Sequence, residues 1–481
     1  MSNNNYFVYT GHNEIPKGTT HLMTDDRFND IIELPSTVTH LIFGPRYNQV
    51  TDYLPPTITH LTFGYHYNQI TDHLPSSVVD LTFGDKYNQI TDHLPPSITH
   101  LTFGNKYNQI TDHLPQNLTH LTFGHKYNQV TDYLPQSLTH LIFGRKYNQI
   151  SNYLPSSITN LTFGYCYNQI TDHLPHRITH LKFNCDYNQI TDHLPQSVTH
   201  LNFARCYNQI NDHLPPNITH LVFGWHYNQI TDYLPPNIVY LTFGLDYDRI
   251  SDHLPHCIEY LTFAGDYNHP TDHLPSNLKT LVFWDNYNQP ADHLPQQLTN
   301  LSFGSNYNHI NDYLPPEITH LRFGARYNQQ TDYLPQSLTH LSFGYDYQQI
   351  VDHLPQSLTH LVFEGCYNQP ILYLPPSITY LSFYDFNNQL VHLPPSVIFL
   401  YLDYNYNNID YVPLLPSSIK KFELYTYGSV EHAKLDHLYN NYNLIYSNLS
   451  LHHPKVDEHV RNNKHNLLVK DIDLVSLILS F

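Results

Sequence analysis

The dipeptide Leu-Pro returns every 20 residues, from Leu34 through Leu54, Leu74 and Leu94 to Leu374, which makes 18 unit starts in one unbroken register. A period this short decides the fold class before any single residue is considered. Each unit is too small to bury a core alone, so neighbouring units must stack and the chain grows in one dimension. A degenerate unit precedes the run at Ile15-Pro16, and two follow at Leu393-Pro394 and Leu415-Pro416 with altered spacing.

Within the unit, counting its Leu as position 1, the consensus is L-P-x-S-I-T-H-L-T-F-G-x-x-Y-N-Q-I-T-D-H. Position 8 is always Leu and position 10 always Phe, as in Leu61 and Phe63. That spacing of two is the period of a strand with one face buried. Apolar or aromatic residues fall mainly at positions 1, 5, 8, 10, 14 and 17, so these six are the expected core. The invariant Pro at position 2 forbids a helix interior. Twenty residues also leave no room for a full helix on the return side. The reading is a β-rich repeat solenoid of leucine-rich-repeat-like coils. A strand at positions 5 to 10 builds a parallel sheet on the concave face, and the convex side is irregular or polyproline-like. The Asn at position 15 (Asn48, Asn68, Asn88) is expected to form a buried ladder to backbone groups of adjacent coils. Position 17 is Val or Ile from Val50 to Ile250 and varies afterwards, so packing there should be less uniform in the second half.

The run L-P-x-S-L-T-H-L-x-F-G-x-x-Y-N-Q-P resembles the FNIP repeat, a leucine-rich-repeat relative found mostly in amoebae and in large DNA viruses that infect them. The likeness covers residues 15–428. Here the aromatic is Tyr, as in Tyr47 and Tyr67, where the family commonly has Phe. The family's Pro after Asn-Gln occurs only at Pro290 and Pro370, and at Pro270 after His269. The resemblance implies a protein-interaction scaffold. Some members carry an N-terminal F-box and act as ubiquitin-ligase adaptors. Only 14 residues precede the first unit, so that role is not expected here.

The domain reading is a lead-in at 1–14, the solenoid at 15–428 with regular units from 34 to 392, and a C-terminal cap at 429–481. Leu435, Leu438, Tyr442, Ile445 and Leu449 recur at 3–4 spacing, which predicts an α-helical cap over the open end.

Charge narrows the function classes. Asp and Glu number 41 against 22 Lys and Arg, which argues against a nucleic-acid binder. No apolar stretch reads as a membrane span. The N-terminus lacks the basic and apolar regions of a signal peptide, and the 5 cysteines show no paired spacing. An intracellular, cytoplasmic, monomeric protein is the expectation.

The 37 histidines are mostly repeat positions. Position 7 supplies His100, His120 and His140, and position 20 supplies His73 and His93. A row of like groups is structural grammar, whereas catalysis needs one constellation of unlike groups. No enzyme, cofactor or metal site is therefore expected. Position 19 is usually Asp, read as a turn residue accepting from nearby N–H groups. Cys166, Cys185 and Cys206 lie in successive coils and are read as free thiols. Position 13 carries Arg46, Lys86, Lys106, Lys126 and Lys146, a cationic row in an acidic protein. That row and the exposed His100, His120 and His140 are the expected binding surface for an unidentified acidic protein partner. A rod-like coat or assembly component is the alternative reading.

Overall fold

The computed structural model describes residues 6–384, apart from 204, 211, 251, 311 and 312, together with 393–404, 416–426 and 449–452. The chain divides into two compact units, 1–238 and 239–481. The described residues of the first hold strands β1 (Phe7–Tyr9) to β12 (His220–Val222), and those of the second hold β13 (Tyr240–Phe243) to β23 (Leu449–His452). Within each unit successive strands pair in parallel. The register is one repeat, as in Leu61↔Leu81↔Leu101 and Leu261↔Leu281↔Leu301. No helix occurs among the described residues.

The regular strand is shorter than expected: His60–Thr62 covers positions 7 to 9 only. Turns cut it at both ends. Ile58 N–H donates to the Pro55 carbonyl at 3.2 Å, and Tyr67 N–H donates to the Gly64 carbonyl at 3.2 Å. Both are four-residue turns, the first opened by Pro and the second by Gly, so the coil turns a corner on each side of three extended residues.

The core is two parallel columns of rings. Phe103 and Tyr107 of one coil stack at 3.7 Å between ring centroids. Phe103 meets Phe123 of the next coil at 5.7 Å, and Tyr107 meets Tyr127 at 6.1 Å. Leu at positions 1 and 8 and the aliphatic residue at position 5 close the cross-section, as Leu114, Leu118 and Leu121 show by their burial. Many of the buried Tyr hydroxyls have a partner in the coil before, such as Thr91 Oγ1 to Tyr107 at 3.1 Å and Thr111 Oγ1 to Tyr127 at 2.9 Å. A buried hydroxyl without such a bond would cost about 1–3 kcal/mol. Burial raises these phenols well above their usual range; for Tyr287 and Tyr347 the value reaches about 12.

Three expectations need correction. Position 17 is not core: Ile70, Ile90, Ile110 and Ile170 are 60–63% exposed. The inward residue is Thr at position 18, because only one of two adjacent extended residues can face the core and the Tyr hydroxyls need the Thr. The Asn ladder exists but is not buried. Residues 7–9, read as lead-in, form a strand paired with His21–Thr24. The helix expected at 435–449 lies outside the described residues, except that Leu449 opens a strand.

Position 11 shows why Gly dominates there. A Cβ on Gly124 would sit inside van der Waals contact of the Gly104 carbonyl. Where the residue is larger, as in Ala264, Trp284, Glu364 and Tyr384, its N–H instead donates to the Phe carbonyl of the preceding coil at 2.8–3.2 Å. The paired strands then run on to Phe, as in Phe263↔Phe283 and Phe343↔Phe363. Gly124→Ala in the all-Gly stretch should therefore lower stability by about 1–3 kcal/mol in urea denaturation. An unchanged midpoint would show that the coils part at no cost.

Candidate functional site

Position 13 follows the Gly turn, and its N–H is tied to the preceding coil. Lys86, Lys106, Lys126 and Lys146 each donate to a position-12 carbonyl at 2.9 Å (Tyr65, Asp85, Asn105 and His125). This fixes the side chains in line, about 4.8 Å apart at the backbone. The row lines one groove of about 1580 Å³ in the first unit, running from Arg27 through Arg46, His66 and the four lysines to Cys166. Its other wall is the Asn row, Asn29 and Asn48 to Asn148.

The Asn row is the part that sequence reasoning placed but did not connect to the cations. Asn68 N–H donates to Asn48 Oδ1 at 2.8 Å, and the pattern repeats from Asn88 to Asn148 at 2.9 Å. Gln69 Nε2 donates to the Asn48 carbonyl at 2.9 Å, which holds the same strip from the other side. Each Asn oxygen is thus engaged by the next coil, while the Nδ2 end of each amide is a donor only. Cations thus line one wall of the groove and amides the other. One of these cations also rests on a ring, Lys86 Nζ lying 5.5 Å from the Tyr65 centroid, and Arg145 at the adjoining position 12 lies 5.4 Å from that of Tyr165.

His100, His120 and His140 do not join this groove. They stand on the outer face of the sheet with their rings stacked at 4.1–4.2 Å. Similar stacks run through His180, His200 and His220 and through His320, His340 and His360. The Thr at position 6 orders each ring: Thr119 Oγ1 lies 2.9 Å from His120 Nδ1 and donates to the Thr99 carbonyl at 3.0 Å. With that hydroxyl proton on the carbonyl, Nδ1 is assigned as the donor to Oγ1. Burial first, and neighbouring imidazoles second, lower the pKa of His40, His120 and His200, the last to about 4. These three imidazoles are thus biased toward the neutral form.

The Asp at position 19 meets imidazoles. Asp112 lies 3.1 Å and Asp92 3.7 Å from His113 Nδ1, and Asp272 lies 3.0 Å from His293. These pairs are exposed and contribute little each. Among the cysteines, Cys185 and Cys206 converge with Asp186, while Cys166 lies at the end of the cationic groove.

The profile of the FNIP repeat matches twelve overlapping stretches of the chain, which together span residues 10–246 and 267–385. Among solved structures, the chain is similar to CroV588, a circular leucine-rich-repeat protein from a giant virus. The two are 40% identical, with a TM-score of 0.73 over 86% of this chain and 67% of that one. It is also similar in fold to YopM from Yersinia enterocolitica, at 23% identity and a TM-score of 0.53 over 82% of this chain and 89% of that one. No functionally curated protein matches the chain in sequence.

Proposed function

The chain belongs to the FNIP repeat family, and from that premise we propose that it is a non-enzymatic scaffold that holds an acidic protein segment in the groove of its first unit. One observation carries the reading: cations from Arg27 to Lys146 share one groove with an Asn row whose oxygens are already engaged. A structural coil gains nothing from lining up like charges one strand spacing apart, since they repel. A carboxylate-rich segment laid along the groove relieves that repulsion and accepts from both walls. The sheet face with its His rows, expected to be concave, flanks such a segment as a second contact surface. No helix among the described residues is long and apolar enough to cross a membrane. Free thiols at Cys166, Cys185, Cys206 and Cys257 suit a reducing, intracellular setting.

The test is charge reversal. A labelled Glu-rich peptide should bind the wild-type chain and bind more weakly as salt rises. Changing Lys86, Lys106, Lys126 and Lys146 together to Glu should weaken it by about 100-fold or more, roughly 2.7 kcal/mol, with little change in melting temperature. Equal binding by the two proteins would remove the groove from the reading.

The alternative, an assembly component, is favoured by the stripe at position 17. Val50, Ile70, Ile90, Ile110, Val130, Ile150, Ile170, Ile190, Ile210 and Ile230 are all about half exposed or more. Ten such side chains in line approach the roughly 800 Å² per partner of a stable interface, and the occupant would be a second copy. Sedimentation separates the readings: a monomer at high concentration supports the scaffold, while a dimer abolished by Ile110→Asp supports assembly.

A further inference from the structure

We propose that Cys185, Asp186 and Cys206 form a binding site for one thiophilic divalent cation, Zn²⁺ being the natural candidate. The Sγ atoms of the two cysteines and a carboxylate oxygen of Asp186 all lie within 4.8 Å of one another. A tetrahedral zinc with Zn–S bonds of about 2.3 Å needs its sulfurs about 3.8 Å apart. The side chains therefore have to draw in by about an ångström at most, a matter of small χ1 changes with no movement of backbone.

The backbone beneath them is already fixed. Cys206 N–H donates to the Cys185 carbonyl at 2.9 Å, and Asp186 N–H donates to the Tyr165 carbonyl at 2.8 Å. Positions 12 and 13 of one coil thus stand beside position 13 of the next, and the repeat itself creates the convergence. Elsewhere the same place holds residues without thiols, such as Asn105 and Lys106 beside Lys126. Among the described residues, two thiols and a carboxylate coincide only where coil 185–186 meets coil 206.

The environment suits a bound ion. Both cysteines are half-buried and Asp186 is exposed, so three protein ligands face a rim that water reaches. The fourth tetrahedral position falls to water or to a ligand atom of a partner. Two thiolates and one carboxylate around a 2+ ion leave a single negative charge, and the two thiol protons pass to solvent on binding. Arg205, which lies 4.8 Å from the Trp225 ring, is the residue before Cys206 and offsets that charge. The ion would cross-link two coils by side chains and stabilise the native stack by mass action.

The experiment uses the full chain, reduced and stripped of metal. Cd²⁺ is titrated while the thiolate-to-metal charge-transfer absorption is followed, and Zn²⁺ is titrated against a chromophoric chelator. The expected result is one tight equivalent per chain and a rise in melting temperature. Cys185→Ser and Cys206→Ser should each weaken binding about 100-fold, Asp186→Asn should weaken it about tenfold, and Cys257→Ser should change nothing. Circular dichroism of the metal-free variants checks that they fold. Absence of saturable binding overturns the proposal, as does binding that survives the Cys185→Ser/Cys206→Ser double variant. Recovery of a Cys185–Cys206 disulfide on air oxidation, with no metal uptake after reduction, overturns it too and makes the pair a redox couple.

Discussion

Phe203→Ala will cost about 3–5 kcal/mol and split the unfolding of the first unit into two steps. Phe203 is 1% exposed and belongs to a continuous column. Its ring lies 3.7 Å from Tyr207 in its own coil, 5.9 Å from Phe183 and 6.0 Å from Phe223. Removing it opens a cavity that Phe183 and Phe223 cannot fill, because their backbones are fixed by strand pairing at Leu181↔Leu201↔Leu221. Each lost ring contact adds about 0.5–1.5 kcal/mol to the loss of burial. In a globular core the whole domain would share the damage. A solenoid couples only neighbours, so the coils on either side should melt semi-independently. Phe203→Leu, which fills most of the volume, should cost less than half as much. A two-state transition with a loss below about 1 kcal/mol would show that the column carries no load.

The period, the strand and the ring column were legible because they rest on invariant residues. Leu61 and Phe63 recur without exception in the regular units and Tyr67 in all but the last, and a 20-residue coil with Pro at position 2 has few ways to bury them. Position 17 was misread for the same reason in reverse. Ile70 looks like a core residue by type, but its place is decided by Thr71, whose hydroxyl bonds Tyr87 at 3.0 Å inside the coil. A polar residue facing inward is visible only once its partner one coil away is known. The same holds for Asn48 and for Ser77, which donates to the Ile58 carbonyl at 2.6 Å. These inter-coil bonds join residues 16 to 20 apart. The sequence shows each of them as a repeated polar letter and says nothing of its direction.

The candidate surfaces divide along that line. The cationic row was legible because position 13 varies and its charge is unusual in this composition. Its neighbour across the groove, the Asn row, was read as structural only. Its link to the groove lies in the bond from Asn68 N–H to Asn48 Oδ1, which joins one coil to the next. The convergence of Cys185, Asp186 and Cys206 needed the offset between positions 12 and 13 of adjacent coils, which no spacing rule within one coil supplies.

Acid will weaken the first unit before it protonates most carboxylates. His40, His120, His140, His180, His200 and His220 all have pKa values lowered from 6.5, with burial the leading cause in each. His200 is brought to about 4 by burial and by His220 and His180. A lowered folded-state value means that the unfolded chain binds protons more readily. The stabilisation is thus complete above about pH 6.5 and is lost as pH falls toward 4. Asp80 opposes the effect at His40, whereas Lys182, on the same sheet face, adds no negative charge to relieve His180 and His200. The rings stack at 4.1–4.2 Å, and two imidazolium ions that close repel by about 4 kcal/mol at a surface-like dielectric. Protonation of one ring therefore delays the next and spreads the loss over the whole window. These rings are only partly exposed, and solvent still screens them, so each shift supplies a modest stabilisation. Together they lower the melting temperature by roughly 6–12 °C between pH 7 and pH 4.5. Changing His180, His200 and His220 to Asn, the residue found at this position in Asn160 and Asn300, should flatten that dependence while leaving the melting temperature at pH 7.5 nearly unchanged. A variant that keeps the full acid sensitivity would assign it to the carboxylates of position 19 instead.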